Sequence, residues 1–457
     1  MKIDNIVIGG GMAGAYISRE LSRIENSFVL LEASETLGGR HKTVKDDSGK
    51  VKYEAGAWRV HSSHSRMLKL CKELGLTLDS YEKSRDIYKG EKGLSKLDSL
   101  IIENDGDVME AFSRELETGY QGTYESVSGT HPYSTDKEGE FFTVKEGQEE
   151  LITRMTKEID PEKIKLSHKV TDIEYSKNVY TVSVMFRKNR GPVNHIVITC
   201  DNIFCCVPQF DAWGWKVSKD YLYPLLESVK PLSLHHIYAT SKDFTVVKRA
   251  NVPGSALQQV LPPTHDKNWF QASYSAGRIA DFWYNYKMKH GGEKMKNLVE
   301  KYLLDIKLDK IESYYWSHAY HTWIATPYFD LEKSVKGSIH PNPLKLPNLW
   351  WAGECFSGYQ GWSEGALQTA KMAIDDYMDK RTGYIPLYKN VPQKYKEWMI
   401  FDGRILDLKR WKNVHPGTKE AIVGHLKEDV SNLFRFIKHS GLSWATLYSL
   451  QVGFLVK

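Results

Sequence analysis

The run Gly9-Gly10-Gly11-Met12-Ala13-Gly14 gathers glycines where a main chain can close on phosphate oxygens, and Glu32 follows 18 positions after Gly14. Gly9 permits a tight turn, Gly11 lets the backbone approach a pyrophosphate, and Gly14 lets a helix pack closely on a strand, with Ala13 inside the same turn. Glu32 offers a carboxylate to the ribose hydroxyls of an adenosine. Such roles need particular elements around them. The apolar run Ile6-Val7-Ile8 reads as a strand entering the turn, and Ile17, Leu21 and Ile24 share one face of a helix leaving it. A second apolar run, Phe28 to Leu31, carries Glu32 at its end. Strand before, helix after and acid at this distance describe a dinucleotide-binding unit with its phosphates at the helix N-terminus.

At 457 residues and 41% hydrophobic content the chain is too long for one ordinary domain, and two or three are expected. No apolar stretch approaches the roughly 18 residues of a membrane span. The chain enters a strand at Ile3 with no charged and apolar leader, so the cytoplasm is the expected location. Cys71, Cys200, Cys205, Cys206 and Cys355 are scattered, odd in number and without metal-ligand pairing, which reads as reduced thiols. The net charge of +5 is local, because residues 390–457 hold 11 Lys+Arg against 6 Asp+Glu. No basic helix with interleaved aromatics accompanies it, so no nucleic-acid surface is expected.

Further motifs follow the glycine turn: Leu37-Gly38-Gly39-Arg40, Glu54-Ala55-Gly56-Ala57-Trp58-Arg59, Trp351-Ala352-Gly353-Glu354 and Gly361-Trp362-Ser363-Glu364-Gly365-Ala366. Together they resemble the flavin-containing amine oxidases, in family order, over residues 1 to about 380. Phe142 to Leu151 is similar to the family's glycine-containing approach to a helix. The resemblance implies FAD, held non-covalently because no cysteine stands where monoamine oxidases attach the flavin. It implies that Gly39 and Arg40 flank the pyrophosphate and that Val170 holds the adenine through a strand backbone. Ala57 and Trp58 would line the flavin, Glu354 would bind the ribityl chain with Gly353 beside it among the cofactor-binding residues, Trp316 would face the flavin, and Trp362 would sit beside the dimethylbenzene or pyrimidine end of the ring. The implied fold is an α/β, Rossmann-like FAD domain of residues 1–85, 141–210 and 340–381, interleaved with a substrate domain of 86–140 and 211–339.

Within that family, Gly56-Ala57-Trp58-Arg59 with His64 beyond is most similar to the L-amino-acid oxidase branch, although Trp58 stands where methionine is usual. The resemblance makes Arg59 the clamp on a substrate carboxylate, a task suited to a planar guanidinium that donates two parallel hydrogen bonds. Lys216, after Cys206-Val207-Pro208, is the candidate for the family's lysine that holds a water near the flavin, with Lys219 as the alternative. Tyr274 is a candidate pocket wall. His318 and His321 are read either as proton carriers or as hydrogen-bonded structural histidines. The expected activity is oxidative deamination of an L-amino acid, with polyamine or monoamine oxidation as the alternative. Oxygen or a redox protein would accept the electrons, and a homodimer is compatible with the sequence.

Residues 382–393 carry two prolines and little periodicity, which reads as a linker. Beyond it, Trp398 to Asp407 alternates like a hairpin turning at Asp402-Gly403. His415-Pro416-Gly417 and His439-Ser440 place two histidines 24 residues apart. In residues 394–457 this pattern resembles cytochrome b5, an α+β module, with Thr418 in place of its second glycine. The resemblance implies haem b between His415 and His439 and one-electron transfer from the flavin. An electron carrier without amine chemistry is the remaining alternative.

Overall fold

A computed structural model describes residues 2–81, 140–187, 191–242, 250–252, 256–303, 306–324, 326, 329–379 and 385–456. Nearly all of the expected substrate-domain stretch 86–140 lies outside these residues. The strand Lys2–Ile8 sits at the centre of a seven-stranded sheet, paired in parallel with Phe28–Leu31 on one side and Val193–Cys205 on the other. Lys2–Ile8 is buried along its second half and Phe28–Leu31 throughout, as parallel strands covered on both faces must be. The long strand Val193–Cys205 changes partners along its length. Its first part pairs antiparallel with Val179–Arg187, and its last three residues pair with Leu349–Trp351 from much later in the chain. That late strand brings Gly353 and Glu354 back to the glycine turn.

The helix Met12–Arg23 follows the turn and packs against Ser363–Met378, helix on helix over one sheet face. Its close seating depends on Gly14, where an added Cβ would lie 1.8 Å from the carbonyl oxygen of Gly9. Gly9 itself has φ +97°, in the left-handed region that side chains avoid. A second sheet, Phe270–Ala276, Val229–Thr240 and Lys310–Trp323, is wholly antiparallel. Tyr238 and Trp316 tie it to the first unit by donating to the carbonyl oxygens of Glu54 and Ala55, each at 2.6 Å.

The tail folds as an α+β unit. Its sheet runs Leu387–Tyr388, Gln451–Leu455, Arg404–Asp407, Trp398–Phe401, and helices cover Lys419–Val423, Ser431–Phe436 and Gly441–Leu450. The hairpin turns at Asp402 and Gly403, both left-handed at φ 49° and 77°, as a two-residue turn between twisted strands requires. Leu387–Tyr388 lies inside the stretch read as a linker, so the tail's sheet starts earlier than residue 394. Pro386 hides this strand from a pattern reading, because two residues carry no period.

Nor does the tail stand apart. Tyr448 is buried in the core beneath the seven-stranded sheet and donates its hydroxyl to Ser334 O at 2.7 Å. Arg404, 1% exposed, donates to Tyr221 O at 3.0 Å and Pro341 O at 3.3 Å. Lys333 Nζ reaches Ser449 O at 3.0 Å, and Thr326 and Ser449 share a hydroxyl hydrogen bond of 2.6 Å. A buried, hydrogen-bonded seam thus joins the tail to the rest of the chain.

Candidate active site

A cavity of about 480 Å³ opens along the C-terminal ends of the parallel strands and continues beneath the antiparallel sheet. Gly9, Gly11, Ala13, Glu32, Gly39, Arg40, Ala57, Trp58, Val170, Gly353, Glu354 and Trp362 all line it, as do Arg59 and Trp316. Gly14 does not, because its role is the helix contact with Gly9. Residues far apart in sequence therefore meet on one surface, in the order a dinucleotide would need.

At one end the helix Met12–Arg23 begins at Gly11 with no side-chain cap, which leaves its first amides open toward the cavity. A Cβ on Gly11 would meet nothing nearer than Gly38 O at 3.9 Å, and one on Gly353 would meet nothing within 4 Å. Both backbones thus face open space that a side chain would fill. Glu32 accepts from Gly10 N at 2.6 Å and Ser34 N at 2.7 Å, so the loop itself holds the carboxylate at the cavity edge. His168 and Lys169 join Val170 in lining this region.

Midway, Glu354 organises the wall. Its carboxylate accepts from Arg40 Nη1 and Gly361 N, each at 2.6 Å, and from the backbone N of His321 at 2.9 Å, with His321 Nδ1 also at 2.9 Å. Burial alone would raise the pKa of Glu354, but the Arg40 guanidinium and the His321 ring override it and hold the carboxyl at about 2. The fully buried His321 ring is held to Glu354 through Nδ1. Arg40 also donates to Ala319 O at 2.8 Å, which joins the antiparallel sheet to the glycine-rich side.

The far end is aromatic. The Arg59 guanidinium carbon lies 4.4 Å from the Trp58 ring centre, 5.3 Å from Phe141, 5.6 Å from Trp362 and 5.9 Å from Tyr274. Arg59 is 9% exposed. Rings flank the guanidinium on several sides, a setting of low polarity in which a charge-assisted pair with a carboxylate is strengthened. His64 packs edge-on to Trp362 at 4.9 Å, supporting the ring from behind.

Lys216 is corrected by the structure. Its Nζ pairs with Glu174 at 3.0 Å, its side chain is 57% exposed, and it does not line the cavity. Lys219 is exposed as well. After Pro208 the chain runs through short helical turns that bury Trp215 and Val217, which directs residues 216 and 219 outward. His415 and His439 lie in the tail, outside the cavity. Sequence reading missed His236, Leu234, His41 and Trp215 as lining residues. For His236 a signal existed in the alternation of the strand Val229–Thr240, but an apolar run with two adjacent histidines does not say which one faces inward.

Comparison with known proteins adds the family. Residues 7–74 match the NAD(P)-binding Rossmann-like domain, and residues 118–208 match the flavin containing amine oxidoreductase family. Two segments of the chain thus resemble the flavin-containing amine oxidases and their nucleotide-binding unit. It is 34% identical over 98 residues to L-amino-acid oxidase of Mus musculus, covering 21% of this chain and 16% of that protein. It is 41% identical over 76 residues to amine oxidase [flavin-containing] B of Rattus norvegicus, covering 16% and 14%. The chain thus matches less than a fifth of the length of these curated relatives. A solved structure of a putrescine oxidase mutant superposes with a TM-score of 0.61 at 13% identity, covering 83% of this chain and 99% of that one, which establishes that the two share a fold. Neither matched family segment reaches the tail, and the comparisons lend no support to a cytochrome b5-like domain or to haem b.

Proposed function

We propose that this protein is a flavin-containing amine oxidase that binds FAD non-covalently and oxidises an L-amino acid, releasing the keto acid and ammonia after water adds to the imino acid. The observation that carries the reading is a buried arginine, Arg59, in an aromatic wall of the same cavity that the glycine turn enters. When bound, FAD accepts a hydride from the carbon bearing the amine. The chain's own residues do the rest. Gly11, Gly39 and the uncapped helix N-terminus receive the pyrophosphate, and Arg40, fixed by Glu354, adds positive charge beside it. Arg59 orients the carboxylate, which presents the substrate carbon in one pose. Trp58, Tyr274, Trp316 and Trp362 exclude water from it.

Polyamine or monoamine oxidation is the competing activity, and the aromatic box around Arg59 argues against it, since a dication gains nothing from a guanidinium. The test is a substrate panel of L-amino acids, putrescine and benzylamine on the wild type and on Arg59→Ala. Loss confined to the amino acids supports the reading, and indifference of amino-acid oxidation to the substitution contradicts it. Non-covalent attachment is checked by acid precipitation, which is expected to release all yellow colour into the supernatant.

We also infer that the tail holds haem b between His415 and His439. Two features of the tail support this. His415 Nδ1 lies 3.0 Å from Thr418 O, and His439 Nδ1 lies 2.9 Å from Phe434 O, contacts that put the proton on Nδ1 and leave Nε2 as the metal-binding atom. In the same stretch of chain Val414, Val423, Leu433, Phe436, Ile437 and Leu442 are exposed apolar side chains, Phe436 at 84%. That is the kind of surface an apolar macrocycle would cover. Iron held by two imidazoles serves electron transfer rather than oxygen binding. Titration with haemin is expected to give a Soret band that His415→Ala and His439→Ala each abolish, and an unchanged band in both variants would overturn the assignment.

A further inference from the structure

The antiparallel sheet brings a second nitrogen-bearing side chain to the aromatic end of the cavity. Leu234 and His236, two apart on the strand Val229–Thr240, both line it, as strand alternation requires of residues on one face. His236 is 2% exposed, and its Nδ1 has no hydrogen-bond partner among the described residues. Buried polar atoms without partners are rare in folded proteins, and at a cavity wall they point to a ligand that completes the bonding. The His236 ring stands edge-on to Tyr274 at 5.0 Å, the same ring that lies 5.9 Å from the Arg59 guanidinium. One phenol thus adjoins both the cation and the imidazole.

We propose that His236 recognises the substrate nitrogen, its imidazole accepting a hydrogen bond from the amine while Arg59 takes the carboxylate. The inference rests on the amino-acid reading of Arg59 and adds a specificity-determining residue to it. Burial, the neighbouring His235 and Arg59 hold the His236 ring neutral, with its pKa lowered to about 3. The groups around it are Tyr274 and Tyr314, opposite it on the two flanking strands, and Tyr238 two residues along its own strand. A neutral ring offers a lone pair to an N–H donor, where a protonated one would repel an ammonium group.

The experiment compares, in the FAD-loaded enzyme, L-phenylalanine with 3-phenylpropionate and L-leucine with 4-methylpentanoate. Each pair shares a carboxylate and a side chain and differs in the amine. Dissociation constants come from anaerobic stopped-flow reduction for the amino acids and from perturbation of the flavin absorbance for the desamino acids. His236→Leu is expected to weaken the amino acids about tenfold or more, on the scale of one hydrogen bond to a charged group. Both desamino acids should stay within about twofold of wild type, and His236→Asn, which keeps an acceptor, should recover most of the loss. Equal weakening of both members of each pair, or no weakening in either variant, overturns the proposal while leaving Arg59 standing. If the wild type binds neither member of either pair and Arg59→Ala changes nothing, the amino-acid reading itself has failed.

Discussion

Arg59 and Glu354 carry the strongest expectations for single residues. Replacing Arg59 by alanine removes a charge-assisted pair, and the expected result is a rise in KM for L-amino acids of about a hundredfold, with amines lacking a carboxylate affected about twofold at most. Steady-state assays on both substrate classes measure it. Glu354 makes a prediction about pH. Its folded pKa, about 2, lies below the ordinary value of 4.5, so its carboxylate stabilises the fold fully above about pH 4.5. That contribution, on the order of 3 kcal/mol, disappears as pH falls through 4.5 toward 2. Urea midpoints should be flat in pH over this contribution from 7 to 5 and fall below that. In Glu354→Gln the acid-dependent part of the fall should shrink, and an unchanged profile would show that Arg40 and His321 do not hold the charge.

For the elements, the packing of the first helix is the decisive feature. Gly14→Ala places a methyl 1.8 Å from Gly9 O, so either the helix moves off the strand or the turn opens. A loss of about 1–3 kcal/mol and of most bound FAD is expected, measured by thermal melting and by flavin absorbance after gel filtration. The sequence made this element legible because glycines, apolar strand and amphipathic helix agree at every level. The Asp402-Gly403 hairpin was legible for the same local reason, since only a left-handed pair closes a two-residue loop. What could not be read was orientation at a distance. Lys216 follows the right tripeptide, yet its direction depends on helical turns that bury Trp215 and Val217, and no spacing along the chain encodes that. His236 faces the cavity because its strand packs over the same cavity that Arg59 lines, a relation set by packing between separate elements. The short strand Leu387–Tyr388 was hidden because its partner, Gln451–Leu455, lies more than 60 residues later.

At the scale of the whole molecule, the tail's seam joins the tail to the body that holds the cavity. Arg404 enters the main body as a buried cation whose partners there are backbone carbonyls, and burial lowers its pKa to about 10. Arg404→Leu should remove those hydrogen bonds and lower stability by about 3 kcal/mol. Removal of residues 385–457 should expose the core around Tyr448 and leave an aggregating remainder. A soluble, FAD-loaded truncation would show that the seam is dispensable. The central claim is tested most directly by one spectrum: the purified, FAD-loaded protein mixed anaerobically with a pool of L-amino acids, beside Arg59→Ala treated in the same way. Bleaching of the flavin band in the wild type, slowed by about two orders of magnitude in the variant, is the result expected. A band that no L-amino acid bleaches, or that bleaches equally in both proteins, would contradict the assignment of this cavity to amino-acid oxidation.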